Sequence, residues 1–476
     1  MAQPISQDRP LDWAREPVMS PMDTVMWRGD ADRRLRGTTC ALEVLDTVPD
    51  WNRLVAAHEW ATRMAPRFRQ RVADSPLAVG APSWCVDANF DLHYHLRRVR
   101  VSGDGSWREL LAAAEQIAMT PLDPARPPWE AVLFDGLPDG QSAYLLKVHH
   151  AMTDGLGAID LLSQLHSTMR DPSPGKPQPP DPRPENPSAA TIIGRQIASD
   201  LALLPPAAEA LAKGLRAMMH PRSALRTALR YGRSVYKVSG LAGPPGSAVL
   251  QRRSLSWRFF AADIDFAELK AAAKAAGASV NDAYLAGLIA AFRLYHERLG
   301  HPIDAMPVAI PISTRSADDP SGGNRIAVGR IAATVGLADP LELMLTVREQ
   351  VRAARREPAA DLFNVISPAL AWLPGAAMSL VGGATSVNDL QASNVPGIQH
   401  ETYLAGAKVL RMYPFGPLPG CAVMAAMVTH GSVACLGINY DAASITQPEL
   451  FSDCIIDGFS EVLALAGTNS RPTQRI

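Results

Sequence analysis

The apolar positions of this chain switch repeatedly between the spacing of a strand and that of a helix, and the switches mark out the elements. Ser20-Pro21-Met22-Asp23 has a Ser cap, Pro at the first helical position and an acid three residues after the cap, which predicts a helix start. Cys40, Leu42 and Val44 alternate with Ala41, Glu43 and Leu45 as in a strand, and Trp51 to Met64 reads as a helix. Ser106 and Glu109 form a capping box for a helix to about Met119. Four prolines between Pro121 and Pro128 then exclude a helix and fix an extended entry into a strand from Ala131 to Phe134. The turn signal Pro138-Asp139-Gly140 opens a buried strand around Ala143, Leu145 and Val148, and Ala158, Leu161, Leu162 and Leu165 share one face of the helix behind it. Further on, strands are predicted from Ser254 to Ile264, Ala305 to Ser313, Asn324 through Val335, Ala422 to Val428 and Val433 to Tyr440. Helices are predicted from Phe266, after Ser279, and from Pro448 to Leu465.

Eight prolines among the sixteen residues 172–187 predict an extended linker that divides the chain into two lobes. The organisation is then a first lobe over 1–171, the linker 172–187, a basic helical connector over 188–250 and a second lobe over 251–476. The connector carries eight Lys and Arg from Arg195 to Lys237 against Asp200 and Glu209. Such a segment is either a solvated helical face or one that lies on an anionic membrane. Residues 362–388 hold no charged side chain, but Pro368, Pro374, Gly375, Gly382 and Gly383 argue against one continuous membrane helix and for a buried hairpin or a lipid-facing surface.

The length, 476 residues, suits two or more cores, and 46 basic against 47 acidic residues leave no global field that argues for nucleic acid. The five cysteines are scattered without a C-x2-C pair, against a disulfide framework or zinc ribbon. The first twenty residues lack an apolar segment, so no signal peptide is expected and the expected location is cytoplasmic.

Candidate chemistry concentrates where the strand through Val148 ends, at His149-His150-Ala-Met-Thr-Asp154-Gly155. Neighbouring strand residues point to opposite faces, so one histidine is expected to be chemical and the other structural. Asp154 at the helix entrance can order an imidazole or an arginine, and Gly155 permits close approach. A general base competes here with a satisfied core histidine. A zinc site is disfavoured, because the two histidines oppose each other and no His-x3-His pair is present.

The string HHAMTDG fits the HHxxxDG signature of acyl-CoA-dependent acyltransferases and peptide-synthetase condensation domains. SPMD at Ser20, PLDPARPPW ending at Trp129 (Pro128 replacing the usual leucine), Asn281-Asp282, PISTR ending at Arg315, the Gly-Asn of Asn324, SNVPG at Ser393 and YPFGP at Tyr413 resemble, in order, the bacterial wax ester synthase/diacylglycerol acyltransferase family. The resemblance implies a two-lobed α/β chloramphenicol-acetyltransferase-like fold with mixed sheets and an inter-lobe tunnel. It implies His150 as general base for moving a long-chain acyl group from acyl-CoA to diacylglycerol, His149 in support, Asp154 ordering the site and Gly155 close packing. Asn281 is the candidate for polarising the carbonyl or positioning the acceptor. Asp282, Trp129, Asn324 and Arg315 are further candidates; Arg315 and Arg325 are each either a partner for Asp154 across the lobes or an ordinary surface arginine. No metal or bound cofactor is implied, since acyl-CoA is a substrate. The expected partners are acyl-CoA, diacylglycerol or a fatty alcohol, and a membrane or lipid-droplet surface. The alternatives are a wax ester synthase using fatty alcohols, transfer to a carrier-bound intermediate, and a catalytically silent lipid-binding protein.

Overall fold

Ser20 Oγ accepts the Asp23 amide at 3.1 Å and Pro21 supplies the first helical residue, so α1 (Pro21–Gly29) begins as its sequence predicts. The computed structural model describes residues 9–74, 80–201, 233–234, 244–315, 322–357, 362–378 and 388–475. After α1 come β1 (Thr38–Leu45), α2 (Trp51–Met64), the hairpin strands β2 (Gln70–Ala73) and β3 (Ser83–Val86), α3 (Leu92–His95), β4 (Leu96–Arg100) and α4 (Trp107–Met119). β5 (Trp129–Asp135), β6 (Ser142–His149) and α5 (Gly155–Leu165) complete the first lobe, and α6 spans 189–201.

The second half supplies β7 (Trp257–Asp265), α7 (Phe266–Ala275), α8 (Val280–Arg298), β8 (Ala305–Ser313), β9 (Ile326–Thr334), α9 (Pro340–Arg355), α10 (Leu362–Leu370) and β10 (Leu390–Val395). It ends with β11 (Tyr403–Leu404), β12 (Ala407–Phe415), β13 (Val423–His430), β14 (Val433–Asp441), α11 (Pro448–Leu463) and β15 (Thr473–Gln474).

Two mixed sheets organise these elements, in the orders β11-β12-β1-β6-β5-β4 and β15-β7-β14-β13-β10-β8-β9. The sheet pairing crosses the expected boundary at 251: β11 and β12 come from the second half yet join the first lobe's sheet. β12 runs antiparallel to β1 with Cys40 opposite Phe415. The pairing is possible because β1 offers a free edge beside β12 and because Pro414, which has no N–H to give, lies beyond the reach of β11, which pairs only with Ala407 and Lys408.

This exchanged strand also seals the lobes together. A core cluster that includes Leu42, Phe134, Phe259, Phe415 and Met424 draws on both sheets, and Phe259 stacks on Phe415 with centroids 4.0 Å apart. At Gly437 a Cβ would lie 2.1 Å from the Pro414 carbonyl oxygen, so only glycine lets β14 come this close to β12.

The proline-rich linker is extended as expected and lies along the first lobe. Trp60 Nε1 donates to Pro177 O, Arg69 pairs with Asp181, and the Glu185 amide donates to Val86 O. Most of the basic connector, from 202 to 232 and from 235 to 243, lies outside the described residues, as does 379–387 of the uncharged stretch. The described part of that stretch holds the short helix α10, which contains Pro368, and a 3-10 turn at Gly375–Ala377. Among the described residues no single helix is long and apolar enough to cross a membrane.

Candidate active site

β6 delivers the two histidines to the seam between the lobes. The His149 amide donates to Pro128 O at 3.0 Å as the last ladder contact, and the chain then tightens into a single 3-10 turn, His150–Met152. The change of backbone, together with strand alternation, separates the two rings.

His149 is fully buried, and its Nδ1 accepts the Ala151 amide at 3.0 Å. That bond puts the ring proton of the neutral form on Nε2, which lies 3.2 Å from Asp30 Oδ1 without the alignment of a hydrogen bond. Trp27 meets the ring edge-on, and a Cβ at Gly37 would come within 3.1 Å of it. The ring is locked on every side.

His150 is held through its backbone instead. Its amide donates to Gly37 O at 2.6 Å, and its carbonyl accepts from Asn324 Nδ2 at 2.6 Å. The ring is surrounded by protein yet keeps partial exposure, and its Nδ1 has no hydrogen-bond partner among the described residues. Burial, the largest influence, lowers its pKa below the ordinary 6.5 despite the opposing pull of its own backbone and of Asp154. The imidazole is therefore neutral at physiological pH and able to accept a proton.

Asp154 caps α5, with Oδ1 accepting the Gly157 amide at 2.8 Å. Its other oxygen accepts from Arg315 Nη2 at 3.0 Å and from the Arg325 amide at 3.1 Å, and it has no hydrogen bond to either histidine. The open choice between the arginines resolves into both: Arg315 acts by side chain and Arg325 by backbone. Arg315 Nη2 also reaches the carbonyls of Gly322 and Gly323, fixing the loop that presents Asn324.

Asn324 in turn bridges His150 O to Asp23 Oδ1, the latter at 2.7 Å. Asp23 is 5% exposed, and burial pushes its carboxyl up to about 6 against the opposing hydrogen bonds of Asn324 and Ser20. Asp23 was not among the expected site residues, although it belongs to SPMD; an acid in a first turn reads as an ordinary cap.

Beside the motif is an apolar cavity of about 170 Å³ that reaches Thr153 and Gly155 and runs between α2, α5, β10 and β12. Trp129 lines it while donating Nε1 to Phe68 O at 2.7 Å, so it is both packed and part of the wall. The few polar groups there are paired. Tyr144 Oη and His58 Nε2 are 2.7 Å apart, and His166 Nε2 lies 3.0 Å from Glu43. Burial alone would lower the His166 pKa, but the buried Glu43 carboxylate outweighs it and raises the value. Gly155 lines the same cavity, and a Cβ there would lie 3.0 Å from Val395 Cγ2.

Asn281 and Asp282 are not brought to this cavity. They sit in the first turn of α8, where Asp282 closes the capping box with Ser279, and they line a separate cleft with Arg348, Arg352 and Arg355. Among the described residues no group of three or more His, Cys, Asp or Glu is arranged to hold a metal ion.

Residues 19–284 match the model of the wax ester synthase/diacylglycerol acyltransferase catalytic domain, and residues 322–462 match that of the family's C-terminal domain. The chain belongs to the wax ester synthase/diacylglycerol acyltransferase family. This family member is 44% identical to Rv2484c of Mycobacterium tuberculosis, provisionally named a diacyglycerol O-acyltransferase, over 94% of this chain and 92% of that one. Rv3087 of the same organism, named likewise, is 30% identical over 80% of this chain and 83% of its own.

Among solved structures, the wax ester synthase/diacylglycerol acyltransferase from Marinobacter aquaeolei VT8 superposes with a TM-score of 0.63 at 21% identity, covering 95% of this chain and 100% of that one. The first condensation domain of the CDA synthetase gives a TM-score of 0.58 at 17% identity, over 95% of this chain and 97% of its own. These likenesses establish the two-lobed fold that the family shares with condensation domains.

Proposed function

We propose that the protein transfers a long-chain acyl group from acyl-CoA to the free hydroxyl of diacylglycerol, giving triacylglycerol and CoA. The observation that carries this reading is the backbone-held imidazole of His150, in the turn that leads to Thr153 and Gly155 on the wall of an apolar cavity. The imidazole removes the hydroxyl proton as the oxygen attacks the thioester carbonyl. The tetrahedral intermediate collapses with cleavage of the C–S bond, and the imidazolium returns its proton to the departing thiolate. No acyl-enzyme is needed when both substrates meet at one base.

His149 orients the turn, Asp154 with Arg315 and Asn324 joins the lobes around it, and Gly155 with Trp129 shapes the cavity. Asn281 lies elsewhere and has no part in the reacting centre. The protein works at a membrane or lipid-droplet surface on the cytoplasmic side. This is supported by Ile193, Ile197 and Leu201 spaced along α6 and by Val365, Ile366 and Trp372, all exposed.

The test is to offer labelled palmitoyl-CoA with diacylglycerol and with hexadecanol and to resolve the products. Triacylglycerol is expected to dominate. Wax ester from hexadecanol as the main product would move the assignment to a wax ester synthase, and no ester from either acceptor would end the acyltransferase reading.

A further inference from the structure

A second cleft, of about 340 Å³, lies between the start of α8 and the end of α9. Its wall carries Arg348, Arg352 and Arg355, which follow one another at the four- and three-residue spacings of a single helical face. Arg348 donates to Gly277 O at 2.7 Å, whereas Arg352 and Arg355 are exposed and have no ion-pair partner among the described residues. Among the described residues the only acid in the lining is Asp282, and its Oδ2 already accepts the Ser279 amide and hydroxyl.

Arginines in the last turn of α9 suit that helix's own negative end. Here, however, they face the first turn of another helix, whose end is positive. Arg352 and Arg355 place two positive charges opposite that positive end, more than the single Asp282 carboxylate offsets, and so favour an anion between them.

The α9 side of the cleft lies toward the catalytic end of the second sheet. β8 ends and β9 begins where Arg315 and Asn324 reach Asp154 and His150. α9 runs back along β9, with Gln350 Nε2 on Ala332 O and Ala354 against Gly329, so its last turn approaches that same end.

We propose that this cleft binds the phosphate groups at the nucleotide end of acyl-CoA while the thioester lies at His150, an inference that rests on the acyl-CoA donor of the proposed function. Guanidinium forks match phosphate oxygens in pairs. A phospholipid headgroup carries the same chemistry, so the test must separate the two.

Binding of CoA and of pantetheine, which lacks the phosphates, is measured by calorimetry on the full chain. Wild type is compared with the Arg352→Ala/Arg355→Ala double variant and with Arg352→Lys/Arg355→Lys, after melting curves show each folded. The Ala variant is expected to weaken CoA about tenfold or more and to leave pantetheine unchanged, with the Lys variant recovering part of the loss. The ratio of kcat/KM for palmitoyl-CoA over palmitoyl-pantetheine is expected to fall in parallel.

Unchanged CoA affinity in the Ala variant overturns the assignment. Lost binding to phosphatidylglycerol vesicles with CoA affinity intact also overturns it and gives the cleft to a lipid headgroup. A wild type that binds no CoA overturns the donor itself, which separates failure of the proposed function from failure of this cleft.

Discussion

Replacing Asp23 by Asn removes a buried carboxylate while keeping an oxygen for Asn324. The folded-state pKa is about 6 against an ordinary 3.8, and burial is the main cause. An acid whose folded pKa is raised contributes stability below its unfolded pKa, and that contribution is lost as pH rises through the folded value. The window is therefore pH 3.8 to 6, and the rise corresponds to roughly 3 kcal/mol at pH 8. Part of that gain is offset, because Arg67 is itself buried and Asp23 is one of the two acids that sustain its charge. We expect Asp23→Asn to be more stable than wild type by about 1–3 kcal/mol at pH 8, with the difference shrinking towards zero at pH 4. Urea unfolding followed by circular dichroism at both pH values measures it. A variant that is less stable at pH 8, or a difference that does not vary with pH, would mean that the buried Asp23 carboxyl is not held protonated up to about pH 6.

Three further outcomes follow from the same geometry. Gly155→Ala puts a methyl group 3.0 Å from Val395 Cγ2, so kcat/KM for palmitoyl-CoA is expected to fall about tenfold with folding intact, and Val395→Ala in the same chain to restore part of it. Arg315→Ala leaves the Asp154 carboxylate, 4% exposed, without its cation; a loss of roughly 2–4 kcal/mol in urea unfolding is expected, below the full cost for a buried pair because Arg315 is partly exposed. Glu43→Gln removes the partner that raises the His166 pKa. That pair stabilises the fold below the ordinary histidine value and less so as pH rises through the raised one, so the variant is expected to lose more stability at pH 6 than at pH 9.

Local signals carried much of the fold. The Ser20 cap, the helix after Ser279 and the strand end at His149-His150 all formed as their residue patterns predict, because each depends on neighbours within a few positions. The strand exchange between the lobes was not legible, because β12 pairs with β1, more than 350 residues away in sequence, and no periodicity encodes a distant partner. The same reason hid the chain of contacts from Asp23 through Asn324 to His150. Arg325 shows a different limit, since it serves Asp154 through its amide, which residue type does not reveal. Asn281 had the right chemistry for an oxyanion, but the direction of α8 carries it to the arginine cleft instead.

The pH dependence of palmitoyl transfer from palmitoyl-CoA to diacylglycerol, in wild type and His150→Ala, decides whether His150 is the base. The wild-type kcat/KM is expected to be flat through neutral pH and to fall in acid below the ordinary histidine pKa of 6.5. The variant is expected to be slower by about 10²–10⁴-fold and to lack that acid limb, with CoA binding retained. A variant within tenfold of wild type, or one that keeps the acid limb, would contradict that role.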